Sequence, residues 1–440
     1  MRINMKHNGI LLLEILFLFF ILCTISVSGQ EVMFHYNAEH TGDFSPVAGT
    51  IGNAVSLKWK YETGGEVKST PVVSNGIVYV GSDDHKVYAL NAANGKQLWN
   101  FTTNGPISST PAVGNGSVYI GSTDLYAINS TTGRQIWNFT PDFPVDYSEL
   151  AITNGIIYFQ AGKTYALNSD GSLIWAFSPF DNLDRKSWFS PAVANGVVYS
   201  GFIDGNIYAF NATSGSQIWN YLPPDCGCGA LIFSSPVIAN NVVYIVHYAL
   251  GPDNYLYALN ATSGQKIWDY PITEYYSSPA VYEGIVYAGD NSGNLHAINA
   301  TTGQLLWKFK AGLRTSSPAA ANGAVFFGSV DDSKIYAVNA KTGQQIWNYS
   351  IDDGVIPSEM GVISSPAIAD GVLYIGSSDK NVYALNISGG VPLIPETKTN
   401  PTSKFPTAIP ESTKAGSLSL TVICAMIFAL FIAKKKLNFK

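Results

Sequence analysis

A short phrase, Tyr-Ala-x-Asn, recurs eight times along the middle of the chain, once with His296 in place of the tyrosine. Its asparagines follow one another at spacings of 38 to 49 residues. They are Asn91, Asn129, Asn168, Asn211, Asn260, Asn299, Asn339 and Asn386. A period of about 40 to 45 residues is typical of repeats made of four strands that form a ring, whereas helical repeats with periods of about 34 residues lack this β-branched and aromatic alternation.

Each unit contains four strand-like pieces, which the unit around Asn211 illustrates. The pairs Asn195-Gly196 and Asp204-Gly205 separate alternating apolar runs. Such pairs favour tight hairpins, because a type I′ turn needs positive φ at both of its central residues. We name the four pieces strands a to d; in this unit they are Ser190-Pro191-Ala192-Val193, Val197-Val198-Tyr199, Ile207-Tyr208-Ala209-Phe210 and Gln217-Ile218-Trp219.

A tryptophan marks each d strand, and in seven of eight cases a glycine precedes it by four residues. We take these as structural blade tryptophans: Trp59, Trp99, Trp137, Trp175, Trp219, Trp268, Trp307 and Trp347. The eighth unit ends at Gly389-Gly390 without such a strand, whereas the Trp59 strand, Ser56 to Tyr61, precedes the first unit. The sequence therefore predicts an all-β, eight-bladed β-propeller of four-stranded antiparallel blades, in which an N-terminal strand closes the last blade and protects its edge.

The charge of the chain argues against a nucleic-acid partner. Only 13% of the residues are charged, and the formal net charge is −6. Without the charged residues of the two ends, 30 acidic residues face 19 basic ones. Such a surface repels phosphate backbones.

The two ends have the composition of targeting and membrane segments. Arg2 and Lys6 precede an apolar run, which is typical of a secretory signal, with an uncleaved N-terminal membrane helix as the alternative. Near the other end, residues 415–433 carry no charge and would be about 28 Å long as a helix, which is close to the thickness of a membrane core. Lysines follow this stretch, and lysines beside a membrane span stay in the cytoplasm. The predicted organisation is a signal peptide at 1–29, a lead-in at 30–55, the propeller at 56–390, a Pro/Thr/Ser-rich stalk at 391–414, a transmembrane helix at 415–433 and a cytoplasmic basic tail at 434–440.

The repeats resemble the pyrroloquinoline-quinone-type (PQQ-like) β-propeller family, whose units read Ala-x-Asp-x-x-Thr-Gly-x-x-x-Trp. The stretch from Ala297 through Thr302-Gly303 to Trp307 is one example, and the lead-in from Phe34 to Gly42 also looks like the segment that precedes such propellers. The family includes quinoprotein dehydrogenases and the Bam-complex assembly lipoprotein, which this chain resembles more. The resemblance implies that the tryptophans dock on neighbouring blades. Asn replaces the family's Asp in all eight units.

At five of these positions the asparagine begins an acceptor sequence for N-glycosylation, and four other asparagines of the chain do so too. The candidates are Asn100, Asn115, Asn129, Asn138, Asn211, Asn260, Asn299, Asn348 and Asn386. The alternative is turn chemistry, because Asn is favoured in turns without any glycan. Five of the nine are expected in c–d turns and Asn115 in an a–b turn, so these six should project from one face of the disc.

The opposite face carries the connections from each d strand to the next a strand, and these vary in length. Variable loops on a rigid scaffold often carry function. Phe180 to Phe189 and Pro223 to Phe233 form two of the long ones. We predict that this face binds an extracellular protein or glycan through Arg185, Trp188, Phe189 and Phe233. The alternative is that these are surface loops whose sequences have diverged without a binding function.

The resemblance also implies what a quinoprotein would need. Such enzymes hold the quinone between a tryptophan floor and a disulfide of adjacent cysteines, with Ca²⁺ bound by Glu, Asn and Asp. This chain has no adjacent cysteine pair; Cys226 and Cys228 flank Gly227, and His247 is the one plausible further zinc ligand. The Asp residues at the b–c hairpins are spread around the ring, which favours a turn role over calcium. We therefore expect no catalytic residue, no metal and no cofactor.

Two functions remain open from the sequence. The first is a non-catalytic binding or scaffold propeller on the cell surface, a single-pass membrane glycoprotein that would fit an archaeal surface protein. The second is a membrane-tethered dehydrogenase that uses PQQ and Ca²⁺ to oxidise an alcohol or sugar. A convergent Glu/Asp/Asn set around the central channel would favour the enzyme, whereas small and apolar channel residues would favour the scaffold.

Overall fold

The computed structural model describes residues 37–38, 40–42, 44, 51–145, 148–180, 190–224, 231–232, 234–248, 254–273, 277–351 and 364–388. All of them belong to one compact unit, Met1–Leu393, and the second unit, Ile394–Lys440, lies outside them. The predicted signal peptide, stalk, transmembrane helix and tail therefore lie outside the described residues. Within the ranges given, no helix has the length and apolar character to cross a membrane.

The described residues form short strands joined by turns. In chain order these are β1 (Ile51–Glu62), β2 (Val72–Ser74), β3 (Ile77–Gly81), β4 (Lys86–Asn91), β5 (Gln97–Thr102), β6 (Ala112–Gly114), β7 (Ser117–Gly121), β8 (Leu125–Asn129), β9 (Gln135–Phe139), β10 (Ala151–Thr153), β11 (Ile156–Ala161), β12 (Lys163–Asn168), β13 (Leu173–Phe177), β14 (Ala192–Ala194), β15 (Val197–Gly201), β16 (Ile207–Asn211), β17 (Gln217–Tyr221), β18 (Leu231–Ile232), β19 (Val237–Ala239), β20 (Val242–Tyr248), β21 (Tyr255–Asn260), β22 (Lys266–Pro271), β23 (Ala280–Tyr282), β24 (Ile285–Gly289), β25 (Asn294–Asn299), β26 (Leu305–Lys310), β27 (Ala319–Ala321), β28 (Ala324–Ser329), β29 (Lys334–Asn339), β30 (Gln345–Ser350), β31 (Ala367–Ala369), β32 (Val372–Gly376) and β33 (Asn381–Ser388).

These strands make eight antiparallel sheets, one for each repeat, which confirms the predicted eight-bladed propeller. From strand a to strand d, blades 1 to 8 are β2-β3-β4-β5, β6-β7-β8-β9, β10-β11-β12-β13, β14-β15-β16-β17, β19-β20-β21-β22, β23-β24-β25-β26, β27-β28-β29-β30 and β31-β32-β33-β1. Blade 5 has an extra strand, β18, which also pairs with β20. The sequence did not predict this strand.

The ring is closed as predicted, by an N-terminal strand in the last blade. β1 runs antiparallel to β33, with Trp59 opposite Ala384 and Tyr61 opposite Val382. The strand begins at Ile51, earlier than the predicted Ser56, and its register shifts between these two residues. Blade 8 is therefore built from both ends of the propeller sequence.

The a–b hairpins use the predicted turn chemistry. Asn195 and Gly196 have φ values of 50° and 74°, and corresponding pairs with positive φ occur in the other blades. The b–c turn at Asp204-Gly205 differs from the prediction, because only the glycine has positive φ. There the N–H of Phe202 donates to the carbonyl of Asn206, which makes a wider turn than type I′.

The hydrophobic cores lie between blades. One cluster joins Val72, Tyr79 and Trp99 of blade 1 to Val118 and Ile128 of blade 2. An equivalent cluster joins blade 8 to blade 1 through Trp59, Tyr374 and their neighbours. Because each blade buries its faces against two neighbours, no blade has a complete core of its own.

The blade tryptophans dock on the next blade, as the family resemblance implied. The Nε1 of Trp268 donates to the carbonyl of Ala300 at 2.9 Å, and the hydroxyl of Tyr244 donates to the same oxygen at 3.2 Å. A Cβ on Gly303, whose φ is 71°, would lie 2.8 Å from the Trp268 ring. The glycine before each tryptophan thus receives the tryptophan of the preceding blade.

Candidate functional site

A ring of short polar side chains surrounds the central channel where the innermost strands begin. We call it the channel ring; it takes one residue from each blade: Thr70, Thr110, Glu149, Ser190, Ser235, Ser278, Ser317 and Ser365. Backbone N–H groups donate to the hydroxyl of the next blade in four described pairs: Glu149 to Ser190, Ser235 to Ser278, Ser278 to Ser317 and Ser365 to Thr70. The ring therefore couples neighbouring blades at the end that carries the d–a connections.

Glu149 is the one carboxylate of the channel ring. Its Oε2 accepts from the hydroxyls of Ser190 and Ser235, both at 3.2 Å, and its Oε1 accepts from Thr110 at 3.5 Å. These partners belong to blades 4, 5 and 2. One side chain thus contacts three blades besides its own, while part of its surface stays accessible.

Burial governs the ionisation of this carboxyl. Protein atoms surround Glu149 and raise its pKa to about 8, although the three hydroxyls act in the opposite direction. The hydroxyl dipoles stabilise the ionised form but supply no full positive charge. The site therefore favours the protonated acid at neutral pH.

This shift predicts a pH dependence of stability. A carboxyl whose pKa is higher in the folded state binds its proton more tightly there, so stability is greatest below the unfolded value near 4.5 and falls as pH rises towards 8. Each unit of pKa difference corresponds to about 1.4 kcal/mol. Between pH 5 and pH 8.5, the free energy of unfolding should fall more for the wild type than for Glu149→Gln. Parallel pH profiles would contradict the assignment.

The lead-in crosses the channel on the inner side of the blades. The carbonyls of Ala38, Thr41 and Gly42 accept from backbone N–H groups of the a strands of blades 4, 6 and 7, each at 2.7 Å. A Cβ on Gly42 would lie 2.6 Å from the Cβ of Ala280, so a glycine is needed for this close approach. His40 is fully buried within the same segment.

The channel ring does not match the quinone and calcium ligands that the resemblance implied. It supplies one glutamate and seven hydroxyls, with no Asn or Asp. Ca²⁺ in proteins takes about six to eight oxygens, usually with several carboxylates among them. Among the described residues, no group of three His, Cys, Asp or Glu side chains could hold a metal. The channel ring therefore provides no basis for a reaction step through either group.

The aspartates of the b–c turns have a structural role. In blades 1, 4, 7 and 8 the Asp accepts a hydrogen bond from the tyrosine hydroxyl four residues later; the pairs are Asp84 and Tyr88, Asp204 and Tyr208, Asp332 and Tyr336, and Asp379 and Tyr383. In blade 6, His296 replaces the tyrosine, and its Nε2 lies 2.9 Å from Asp290. This agrees with the predicted turn role.

His247 lies in strand β20 and is buried, and burial lowers its pKa to about 4. Its ring contacts the ring of Tyr257 with centroids 6.0 Å apart. These features are those of a neutral core histidine. Cys226 and Cys228 lie outside the described residues.

The c–d turns explain most of the repeated asparagines without a glycan. Oδ1 of Asn211 accepts the N–H groups of Thr213 and Ser214, and the same pair of bonds occurs at Asn129, Asn260 and Asn299. Asn91 and Asn339, which are not acceptor sequences, make these bonds too. Glycosylation therefore stays a prediction.

The predicted positions of the acceptor asparagines need one correction. Asn386 lies within β33 beside Ser56 of β1, because blade 8 takes its d strand from the N-terminal side and has no c–d turn. The a–b and c–d turns do lie together, since the N–H of Ser130 donates to the carbonyl of Gly116. Asn100, Asn138 and Asn348 are exposed on outer strands. The predicted partner residues Arg185, Trp188, Phe189 and Phe233 lie outside the described residues.

Solved structures share this architecture at low sequence identity. BamB from Moraxella catarrhalis is 16% identical, with a TM-score of 0.60, over 76% of this chain and 98% of that one. The quinohemoprotein alcohol dehydrogenase from Comamonas testosteroni is 14% identical, with a TM-score of 0.65, over 84% and 82%. The computationally designed Ika8 protein is 16% identical, with a TM-score of 0.61, over 77% and 100%.

These similarities establish the fold alone, because both a quinohemoprotein dehydrogenase and a designed protein share it. No curated protein sequence matches the chain significantly. The family described as outer membrane protein assembly factor BamB matches overlapping segments of this chain, at residues 52–140, 86–251, 123–349 and 252–402. Since these segments cover all eight blades and most of the sequence, the chain belongs to the PQQ-like propeller family of BamB.

Proposed function

We propose that the chain is a non-catalytic scaffold propeller of the cell surface, which binds a protein or glycan partner through its d–a loop face. The channel ring supports this proposal, because one glutamate and seven hydroxyls supply fewer carboxylate oxygens than protein-bound Ca²⁺ usually takes. Membership of the BamB family agrees with a role in which the propeller supplies surface and no chemistry.

The interblade contacts give such a scaffold its rigidity. At seven junctions, from blade 8 with blade 1 to blade 6 with blade 7, a tryptophan packs against the next blade and its indole N–H donates to a backbone carbonyl there. Loops held on a rigid frame lose less conformational freedom when they bind. The proposed attachment is the predicted transmembrane helix at 415–433, with the propeller outside the cell.

The proposal is tested by capture of a partner from surface extracts of the source organism. The full chain is compared with the triple variant Arg185→Ala, Trp188→Ala and Phe189→Ala, and with the control Lys341→Ala and Gln344→Ala on the opposite face. Among the described residues, the side chain of Lys341 forms an exposed ion pair with Glu283, and such a pair contributes little to stability. We expect a cross-linked partner that the triple variant loses at least about tenfold, as expected for a hot spot of ~1.4 kcal/mol or more.

Capture that the triple variant retains, or that the control loses, would contradict binding through the d–a face. The dehydrogenase is the alternative, and its test is a titration with pyrroloquinoline quinone and Ca²⁺ followed by calorimetry. Saturable binding at micromolar concentrations or below would replace the scaffold proposal with the enzyme.

A further inference from the structure

The channel ring contains one residue that the fold does not require. Seven blades place a serine or threonine at this position, and their hydroxyls accept the backbone N–H of the preceding blade in the described pairs. Blade 3 keeps the same backbone N–H bond to Ser190 but carries Glu149. A serine would therefore satisfy the architecture, and the carboxylate needs another explanation.

The carboxyl lies at the channel mouth with capacity left for a ligand. An ionised carboxylate has about four acceptor sites, and the described contacts of Glu149 are three hydroxyl donors. Its surface is partly accessible. Ser190 and Ser235 belong to adjacent blades, so their hydroxyl oxygens flank the carboxylate on one side of the channel.

When Glu149 is ionised, the site carries a negative charge that no ion pair of the described residues compensates. A buried charge is costly unless a partner compensates for it. A cation bound at the channel mouth would provide this compensation.

We infer that the channel mouth at Glu149 receives an alkylammonium group, the lysine side chain of a protein partner, with Glu149 as counter-ion and the hydroxyls of Ser190 and Ser235 as further acceptors. An ammonium group is compact, has three donors and sits on a flexible stem. One carboxylate and two hydroxyls provide three acceptors for it. A metal ion such as Ca²⁺ would need more carboxylate oxygens than this ring supplies.

This inference deepens the proposed function, on which it rests, because Glu149 lies at the end of the propeller that carries the d–a connections. The lead-in crosses the same channel through Ala38, Thr41 and Gly42. Of the described residues, the ring of hydroxyls is therefore met before this segment by a lysine that enters from the d–a side.

The probe for the test is n-butylammonium, titrated calorimetrically into the full chain. We expect saturable binding at pH 8.5 that weakens at least about tenfold at pH 6.5, because protonation of Glu149 removes the counter-ion. Glu149→Gln and Glu149→Ser should each lose the binding. Glu283→Gln, a matched change at an exposed carboxylate, should retain it. Unaltered melting temperatures at pH 6 would show that the Glu149 variants are folded.

The inference is overturned if the wild type does not bind n-butylammonium, if Glu149→Gln binds it equally well, or if neutral n-butanol binds with the same affinity. It is also overturned if Ca²⁺ binds saturably and displaces the amine, which would identify a metal site. The partner capture described above tests the proposed function separately from this inference. A partner lost by the loop variant but retained by Glu149→Gln would remove this inference alone.

Discussion

Deletion of residues 56–62 is expected to lower the free energy of unfolding of the propeller by about 5 kcal/mol or more, since loss of a buried tryptophan alone costs ~3–5 kcal/mol. The deletion removes the strand that pairs with β33 over Ser56 to Glu62. It also removes the Trp59 ring, whose Nε1 donates to the carbonyl of Ala92 in blade 1 at 3.0 Å. Blade 8 would lose its outer strand and its junction with blade 1 together.

Two point variants separate these contributions. Trp59→Ala removes a ring that is 8% exposed, whereas Leu57→Ala on the same strand removes a side chain that is 43% exposed. We expect the first to be strongly destabilising and the second to be close to neutral. Thermal and urea unfolding measure both, and size-exclusion chromatography should show self-association of the deletion variant through its unpaired β33 edge. A deletion variant that unfolds like the wild type would refute the closure.

Trp268→Ala is expected to lower the free energy of unfolding by about 3–5 kcal/mol. The ring lies between blades 5 and 6, is 8% exposed and touches Gly303. No larger side chain at Gly303 could fill the resulting cavity without strain, because that position has φ of 71°. A loss below about 1 kcal/mol in urea unfolding would show that the junction collapses easily and that the tryptophan is peripheral.

A phenylalanine at the same position tests the hydrogen bond on its own. Trp268→Phe keeps most of the packing and leaves the Ala300 carbonyl bonded to Tyr244. The loss of the indole hydrogen bond should therefore lower the free energy of unfolding by about 1 kcal/mol. Trp347→Phe is the matched control, because the Nε1 of Trp347 has no partner among the described residues. We expect the control to lose less stability from the missing N–H group. Equal losses would show that the indole hydrogen bond contributes nothing measurable.

The repeat predicted most of the fold because its signals are local. Asn-Gly pairs specify a–b turns whose central residues have positive φ, as Asn195 and Gly196 do. The short apolar runs between the turns specify the b and c strands, which are buried along nearly their whole length because both faces of a blade pack against neighbours. The missing d strand of the eighth unit then left the Trp59 strand as the piece that completes the ring, and β1 has this position.

The candidate site was harder to predict, because its members are far apart in the chain. Glu149 and Ser235 are 86 residues apart, yet their side chains meet at 3.2 Å. The signal that could have found the site is the alignment of the repeats, where Glu149 occupies a serine or threonine position. The crossing of the channel by the lead-in left no such signal, because Ala38, Thr41 and Gly42 contact the blades through backbone carbonyls.

The sequence by itself determined the number of blades, the order of strands and the closure, since each follows from a local pattern repeated along the chain. The tertiary structure decided which blades each side chain joins. The Gly-x-x-x-Trp spacing lies within one repeat. In the structure, however, Gly303 contacts Trp268 of the previous blade, and Trp307 contacts Gly343 of the next blade. Likewise, the raised pKa of Glu149 exists only because the ring closes around it. Contacts and burial of this kind depend on distances across the ring, which no local pattern encodes.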